Sequence, residues 1–252
     1  MLTALEINGG TVVYDAEAGR ARLSVPITPE HRYTNAQLDD YHVSGGRRPA
    51  LPRFKSTPPL RVSLRARASQ AAPIGTLGFG FWNEPFSLTG SVLGTPSVLW
   101  FFYASPPSDM ALVPGVPGRG WKAGSLKIGQ WPGLLFAPAA LGAVLLTRVP
   151  GLGRPVMNLA RRFMTAHEAP LNDVSLNAWH DYDLVWLAAE ARFSVDGVER
   201  LRLPAPPAGP LGFVLWIDNQ YAIASDRGQF GFGVRPLPKE QWLEVEQLHI
   251  EV

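Results

Sequence analysis

Four side chains of this sequence stand where they could move protons: Glu84, Asp109, Asp218 and His167. Glu84 closes the run Gly78-Phe79-Gly80-Phe81-Trp82-Asn83-Glu84, and Asp218 closes Leu215-Trp216-Ile217-Asp218. A carboxyl ending an apolar run needs a partner or solvent, because burying it bare is costly. Burial also raises its pKa toward values useful in acid–base chemistry. Asp109 follows the rigid loop Ser105-Pro106-Pro107-Ser108, and His167 lies beside Glu168. Each also has an ordinary reading as a solvated turn or strand end, and both readings stand at this point.

Aromatic residues surround the two strand-end acids. Alternation along an extended chain puts Phe79 and Phe81 on one face and Gly78, Gly80, Trp82 and Glu84 on the other. It likewise puts Trp216 beside Asp218, with either Trp100 and Phe102 or Phe101 and Tyr103 between the two groups. Glycines in mid-strand mark a place where something comes close to the backbone. The candidates for ligand stacking are therefore Trp82, Trp100, Phe102, Tyr103, Trp216 and Tyr221, with Asn83 and Asn219 to hydrogen-bond beside the acids. The alternative for each aromatic is core packing.

Other chemistries find no support. The chain has no cysteine, which excludes disulfides, thiolate zinc sites and a cysteine nucleophile and fits a reducing compartment. His31, His42, His167, His180 and His249 show no metal-ligand spacing, and neither Asp39-Asp40 nor Asp218-Asn219 gathers the several oxygens calcium requires. No metal and no cofactor is expected. A formal charge of +2 is too small to imply a nucleic-acid partner. Arg61, Arg65 and Arg67 form a positive strip that reads as a solvated face, or else as a seat for a phosphate or carboxylate.

Strands must position these residues. Thr11 to Tyr14 and Ala21 to Val25 read as an opening pair, and Tyr33 to Leu38 as a short strand. From Leu60 to Ala68, Leu60, Val62, Leu64 and Ala66 alternate with Arg61, Ser63, Arg65 and Arg67, the period of a half-buried strand. Thr76 to Trp82, Val98 to Tyr103 and Leu211 to Asp218 are apolar on both faces, as central strands are. Near the C-terminus Leu243 and Val245 are out of phase with Leu248, Ile250 and Val252, which predicts a bulge near Glu246-Gln247. The 25 Gly and 24 Pro are spread as turn punctuation rather than gathered in a linker.

One region departs from this pattern. From Trp131 to Pro170 the sequence predicts two helices, with Pro138 and Pro155 as first residues. The first, through Leu146, is apolar all round; the second carries Val156, Leu159, Ala160 and Phe163 on one face. The first falls far short of the ~20 residues that cross a bilayer. A helical insertion over 134–165 could pack on the fold, close over an apolar ligand, or rest on a membrane with Arg148, Arg154, Arg161 and Arg162 facing anionic head groups.

The segment Trp179 to Val198, W-H-D-Y-D-L-V-W-L-A-A-E-A-R-F-S-V-D-G-V, joins these parts. Tyr182, Leu184 and Trp186 alternate with Asp181, Asp183 and Val185, Phe193 and Val195 continue after a break, and Asp196-Gly197 suits a tight turn. The segment resembles the W-H-x-Y-x-x-x-W … F-x-V-D-G signature of the concanavalin-A-like jelly rolls, and the family-sixteen glycoside hydrolases in particular. The strand Leu60 to Ala68, G-T-L-G-F-G-F-W and the closing W-L-E-V-E-Q-L-H-I-E-V fall in matching order. The resemblance implies an all-β sandwich of two antiparallel sheets, with ligands on a concave face to which the Gly/Trp/Glu side is assigned. Those hydrolases carry a glutamate-x-aspartate-x-x-glutamate motif on the strand after the glycine-aromatic one. Here that strand, Ser97 to Ser105, holds no carboxylate, so no catalytic residue transfers.

One domain over 1–252 is expected, since a chain of this length buries roughly three-quarters of its unfolded surface without staples. Three functions remain open: recognition of a glycan or amphiphilic glycoconjugate, acid–base catalysis on a lipid- or terpenoid-like molecule, and peripheral-membrane or partner binding through 134–165. Met1 to Glu6 lack the basic and apolar regions of a secretory signal, so a cytoplasmic location is expected. The sequence leaves the oligomeric state open.

Overall fold

The computed structural model describes residues 1–42, 54–83, 96–129, 155, 158, 159, 162–225 and 229–252. In chain order the strands are β1 (Thr3–Ile7), β2 (Thr11–Asp15), β3 (Arg20–Val25), β4 (Asn35–Asp39), β5 (Leu60–Ala68), β6 (Thr76–Trp82), β7 (Ser97–Ala104), β8 (Asp109–Met110) and β9 (Gly120–Ile128). They continue with β10 (Met164–Pro170), β11 (His180–Trp186), β12 (Glu190–Val195), β13 (Val198–Pro204), β14 (Gly212–Asp218), β15 (Gln220–Ala224), β16 (Phe230–Val234) and β17 (Gln241–Glu251).

Two antiparallel seven-stranded sheets are packed as a jelly-roll sandwich, in the orders β1-β4-β14-β6-β7-β9-β10 and β13-β12-β11-β5-β17-β3-β2. A small sheet, β16-β15-β8, stands at one end. The core between the large sheets follows the alternation in the sequence. Phe79, Phe81, Phe101 and Phe213 of the first sheet meet Tyr182, Leu184, Trp186 and Phe193 of the second, and all are buried. Trp186 is wholly enclosed, packs 5.4 Å from Phe81, and donates its indole N–H to the Pro207 carbonyl at 2.9 Å. A buried indole needs such an acceptor.

The signature segment is structural. His180 Nδ1 lies 2.6 Å from Asp196 Oδ2, and Asp196 Oδ1 accepts the Asp181 amide at 2.9 Å. Asp196 and Gly197 both have positive φ, 52° and 75°, which gives the β12–β13 hairpin its tight turn. In β17 the register with β5 shifts between Glu246 and His249, and Gln247 takes a φ of 54°. The predicted bulge lies there. Arg61, Arg65 and Arg67 face outward and pair with Asp183, Asp181 and Glu244 at 2.6, 3.7 and 2.9 Å. The strip is thus a neutralised ladder rather than an anion seat.

The region 131–170 requires a correction. Met164–Pro170 is not helical; it is β10, paired in register with β9 from Met164↔Ile128 to Pro170↔Lys122. Its short alternating run was overridden in the sequence by the helical period just before it. The described residues do not support a two-helix insertion. The expected first helix lies outside them; of the second, Pro155, Asn158 and Leu159 are helical and exposed, whereas Arg162 and Phe163 form an exposed turn leading into β10. The lid and membrane readings of 134–165 therefore rest mainly on residues outside the described set.

Candidate functional site

The outer face of the first sheet carries a second apolar cluster, which is why β6, β7 and β14 are buried on both sides. Register partners share a face, so the rows across this sheet can be read directly. One row runs Gln37, Trp216, Gly78, Phe102, Lys122; the next runs Asp39, Val214, Gly80, Trp100, Gly124, Glu168. A third joins Asn35, Asp218, Thr76 and Ala104. The choice the sequence left open on β7 is settled: Trp100 and Phe102 face the cluster, whereas Phe101 and Tyr103 point between the sheets.

Gly78 and Gly80 have a different role from the one expected. What approaches them is the protein itself. A Cβ on Gly78 would lie 2.9 Å from Trp216 Cη2, and one on Gly80 would meet the β7 backbone at Leu99 O and Trp100 Cα. The missing side chain of Gly78 lets the Trp216 indole lie against the sheet. Trp82 and Trp216 then stack at 5.5 Å with planes 10° apart, and Trp100 and Phe102 at 4.7 Å and 14°.

Above this floor lies a small cleft of about 100 Å³. Trp82, Trp100, Phe102 and Trp216 form one wall; Asn35, Gln37, Thr76, Asp218 and Gln220 supply polar groups, and Tyr33, Tyr221, Ser108, Met110 and Ala222 border it. The aromatic rings are nearly buried, so an occupant meets their edges rather than whole faces. Hydrogen bonds hold the walls. Trp216 Nε1 donates to Thr76 Oγ1 at 3.0 Å, and that hydroxyl donates to Asp218 Oδ1 at 2.7 Å. Trp82 Nε1 donates to Tyr41 Oη at 2.7 Å, and Gln37 Nε2 reaches both Tyr41 Oη and Asp39 Oδ2. Asp39 also accepts the Tyr41 and His42 amides, so it shapes the turn after β4.

Asp218 is buried, only 6% exposed, and burial pushes its pKa up to about 6 against the hydrogen bonds from Thr76 and Gln220. It is the one carboxylate lining the cleft among the described residues. The other acid–base candidates are elsewhere. Asp109 alternates with Ser108 and Met110, which face the cleft, and points away from it. His167 pairs with Ser125 on the opposite face of the sheet from Glu168. Glu84 lies outside the described residues.

Two expected ligand-binding amides are engaged by the fold instead. Asn219 accepts the Thr34 amide and donates to the Arg32 and Arg235 carbonyls at 2.9 and 2.6 Å. Asn83 Oδ1 accepts the Ser97 amide at 3.0 Å, tying the ends of β6 and β7. Asn35, Gln37, Thr76 and Gln220 were missed, although Asn35-Ala36-Gln37-Leu38 alternates polar with apolar. Also missed was a buried ion pair beside Phe102: Lys122 Nζ to Glu168 Oε1 at 2.6 Å, with Nζ donating to Pro117 O at 3.1 Å. Burial raises the Glu168 pKa, and Lys122 opposes that rise.

No protein-family model and no curated protein matches the sequence. Solved structures do resemble it. A family-sixteen endo-glucanase from Bacteroides ovatus superposes with a TM-score of 0.47 at 10% identity, covering 99% of this chain and 94% of that one. A legume lectin-like domain from Entamoeba histolytica gives 0.47 at 10% identity, covering 99% and 89%. A GlcNAcα1-4Gal-releasing endo-β-galactosidase from Clostridium perfringens gives 0.43 at 14% identity, covering 94% of this chain; the present chain spans about half of that enzyme, 53%.

Proposed function

We propose that this protein binds a glycan or amphiphilic glycoconjugate in the cleft and does not hydrolyse it. The observation that carries this reading is an aromatic wall with amide, hydroxyl and carboxyl groups set beside it in one cleft. A sugar has the same division, with C–H faces and hydroxyl edges. Retaining hydrolysis needs two carboxylates about 5–5.5 Å apart. On β7 the residues facing the cleft side are Val98, Trp100, Phe102 and Ala104, none of them acidic.

The test is binding to a glycan array, followed by calorimetry on the best glycan found, with Gln37→Ala and Gln220→Ala alongside the unaltered protein. Loss of a polar contact should weaken binding by about fivefold to tenfold. Unchanged affinity in both variants would move the site elsewhere. Measurable hydrolysis of laminarin, lichenan or agarose would overturn the non-hydrolytic part.

A second reading, acid–base catalysis on an apolar small molecule, is favoured by the elevated pKa of Asp218 inside the cleft. It requires turnover that follows a group titrating near that value and disappears in Asp218→Asn.

A further inference from the structure

Asn35, Gln37, Thr76, Asp218 and Gln220 bring polar groups to the cleft, and an apolar track leaves it beyond Met110 and Ala222. In the small sheet, Met110 is the register partner of Ala224, and Ala224 that of Phe230; Ala222 pairs with Phe232. These five residues share the face on which Met110 and Ala222 line the cleft and join its apolar cluster. Moving outward from β8 through β15 to β16, burial falls from Met110 at 7% exposed to Phe230 at 40% and Phe232 at 77%. No side chain on this track can form a hydrogen bond. Phenylalanine lacks the polar handle that tyrosine or tryptophan would offer a sugar hydroxyl. A large apolar side chain left so exposed beside a cleft marks a contact surface.

We infer that this track receives the alkyl or acyl tail of an amphiphilic glycoside whose head group occupies the cleft. The inference rests on the reading of the cleft as a sugar site. The track is continuous with the cleft through Ala222 and Met110, and its wholly apolar composition selects hydrocarbon over further sugar units.

The experiment uses n-alkyl β-D-glucosides from hexyl to decyl, with decanol as the headless control. All are held below their micellar concentrations, and binding is measured by calorimetry. Affinity should rise about twofold to fourfold for each added methylene. In Phe230→Ser/Phe232→Ser the constants for the different chain lengths should converge. In Val13→Ser, which removes an exposed apolar side chain from the other sheet, the dependence on chain length should persist. If the double phenylalanine variant keeps the full chain-length dependence, the track is not the tail site, while the reading of the cleft stands. If decanol binds as tightly as decyl glucoside, the track stands and the sugar reading fails. If no member binds, both are overturned.

Discussion

Asp218 holds a buried carboxyl at the wall of the cleft, with Oδ1 accepting from the Thr76 hydroxyl, the Thr76 amide and the Gln220 amide. These bonds favour the ionised form, yet burial outweighs them and its pKa rises to about 6. A folded-state value above the unfolded one means that the folded protein holds its proton longer. Stability from this group is therefore full below about pH 4 and is lost as pH climbs through about 6, by about 3 kcal/mol in all. Asp218→Asn keeps an acceptor for Thr76 and Gln220 without the charge. It should raise the melting temperature at pH 7.5 and flatten the decline between pH 4 and 6, as read by calorimetry across that range. A variant less stable than the parent at pH 7.5 would show that the ionised carboxylate is better solvated than its burial implies.

Lys122 and Glu168 form a buried ion pair, with side chains 3% and 6% exposed. Removing one charge strands its partner. Glu168→Gln should destabilise the fold by about 3–5 kcal/mol in urea denaturation, whereas Lys122→Met with Glu168→Leu should come close to the parent. Equal losses in the single and double variants would show that shape, not charge pairing, decides the site.

Among the elements, β6 shows most clearly how local sequence serves packing. Its glycines alternate with Phe79 and Phe81, so one face fills the core while the other lets the Trp216 ring and the β7 backbone come close. A methyl group on Gly78 would come within 2.9 Å of the Trp216 ring, with the Phe101 carbonyl closer still. Gly78→Ala should therefore cost about 2–3 kcal/mol through overpacking. It should also diminish the near-ultraviolet circular dichroism of the stacked Trp82–Trp216 pair. An unchanged spectrum would mean that the indoles are not held by the sheet floor. At β17, Gln247 with a φ of 54° absorbs the slip in phase between Val245 and Leu248. This explains how one strand can bury both residues.

For the whole molecule, the two apolar clusters lie on opposite sides of the first sheet. Strands β6, β7 and β14 are shielded by both, while β2, β13 and β16 are sheet edges with exposed residues. Native-state hydrogen exchange should therefore find its slowest amides in β6, β7 and β14 and its fastest among these three edges. Slowest exchange in β11 or β5 would instead place the most stable unit in the second sheet.

The sequence by itself determined the elements whose side chains obey a short period. Alternation in β5 and β11, the turn chemistry of Asp196-Gly197 and the phase slip before Leu248 are local properties of the chain, legible without knowing any neighbour. The pairing of Trp82 and Trp216 with Asp218 on one face followed from the same alternation. What depended on contacts distant in sequence stayed hidden. β9 carries Lys122, Gly124 and Ser125 in a buried strand because β7 and β10 flank it, and β10 is a strand because β9 is beside it. Likewise, Asn219 looked like a ligand-binding amide until the fold brought Thr34, Arg32 and Arg235 to it. The glycines of β6 announced a close approach, but only the tertiary structure could show that the approaching groups were the Trp216 indole and the β7 backbone. Periodicity is written along the chain; which partner satisfies a polar atom, or fills the space above a glycine, is decided where distant segments meet.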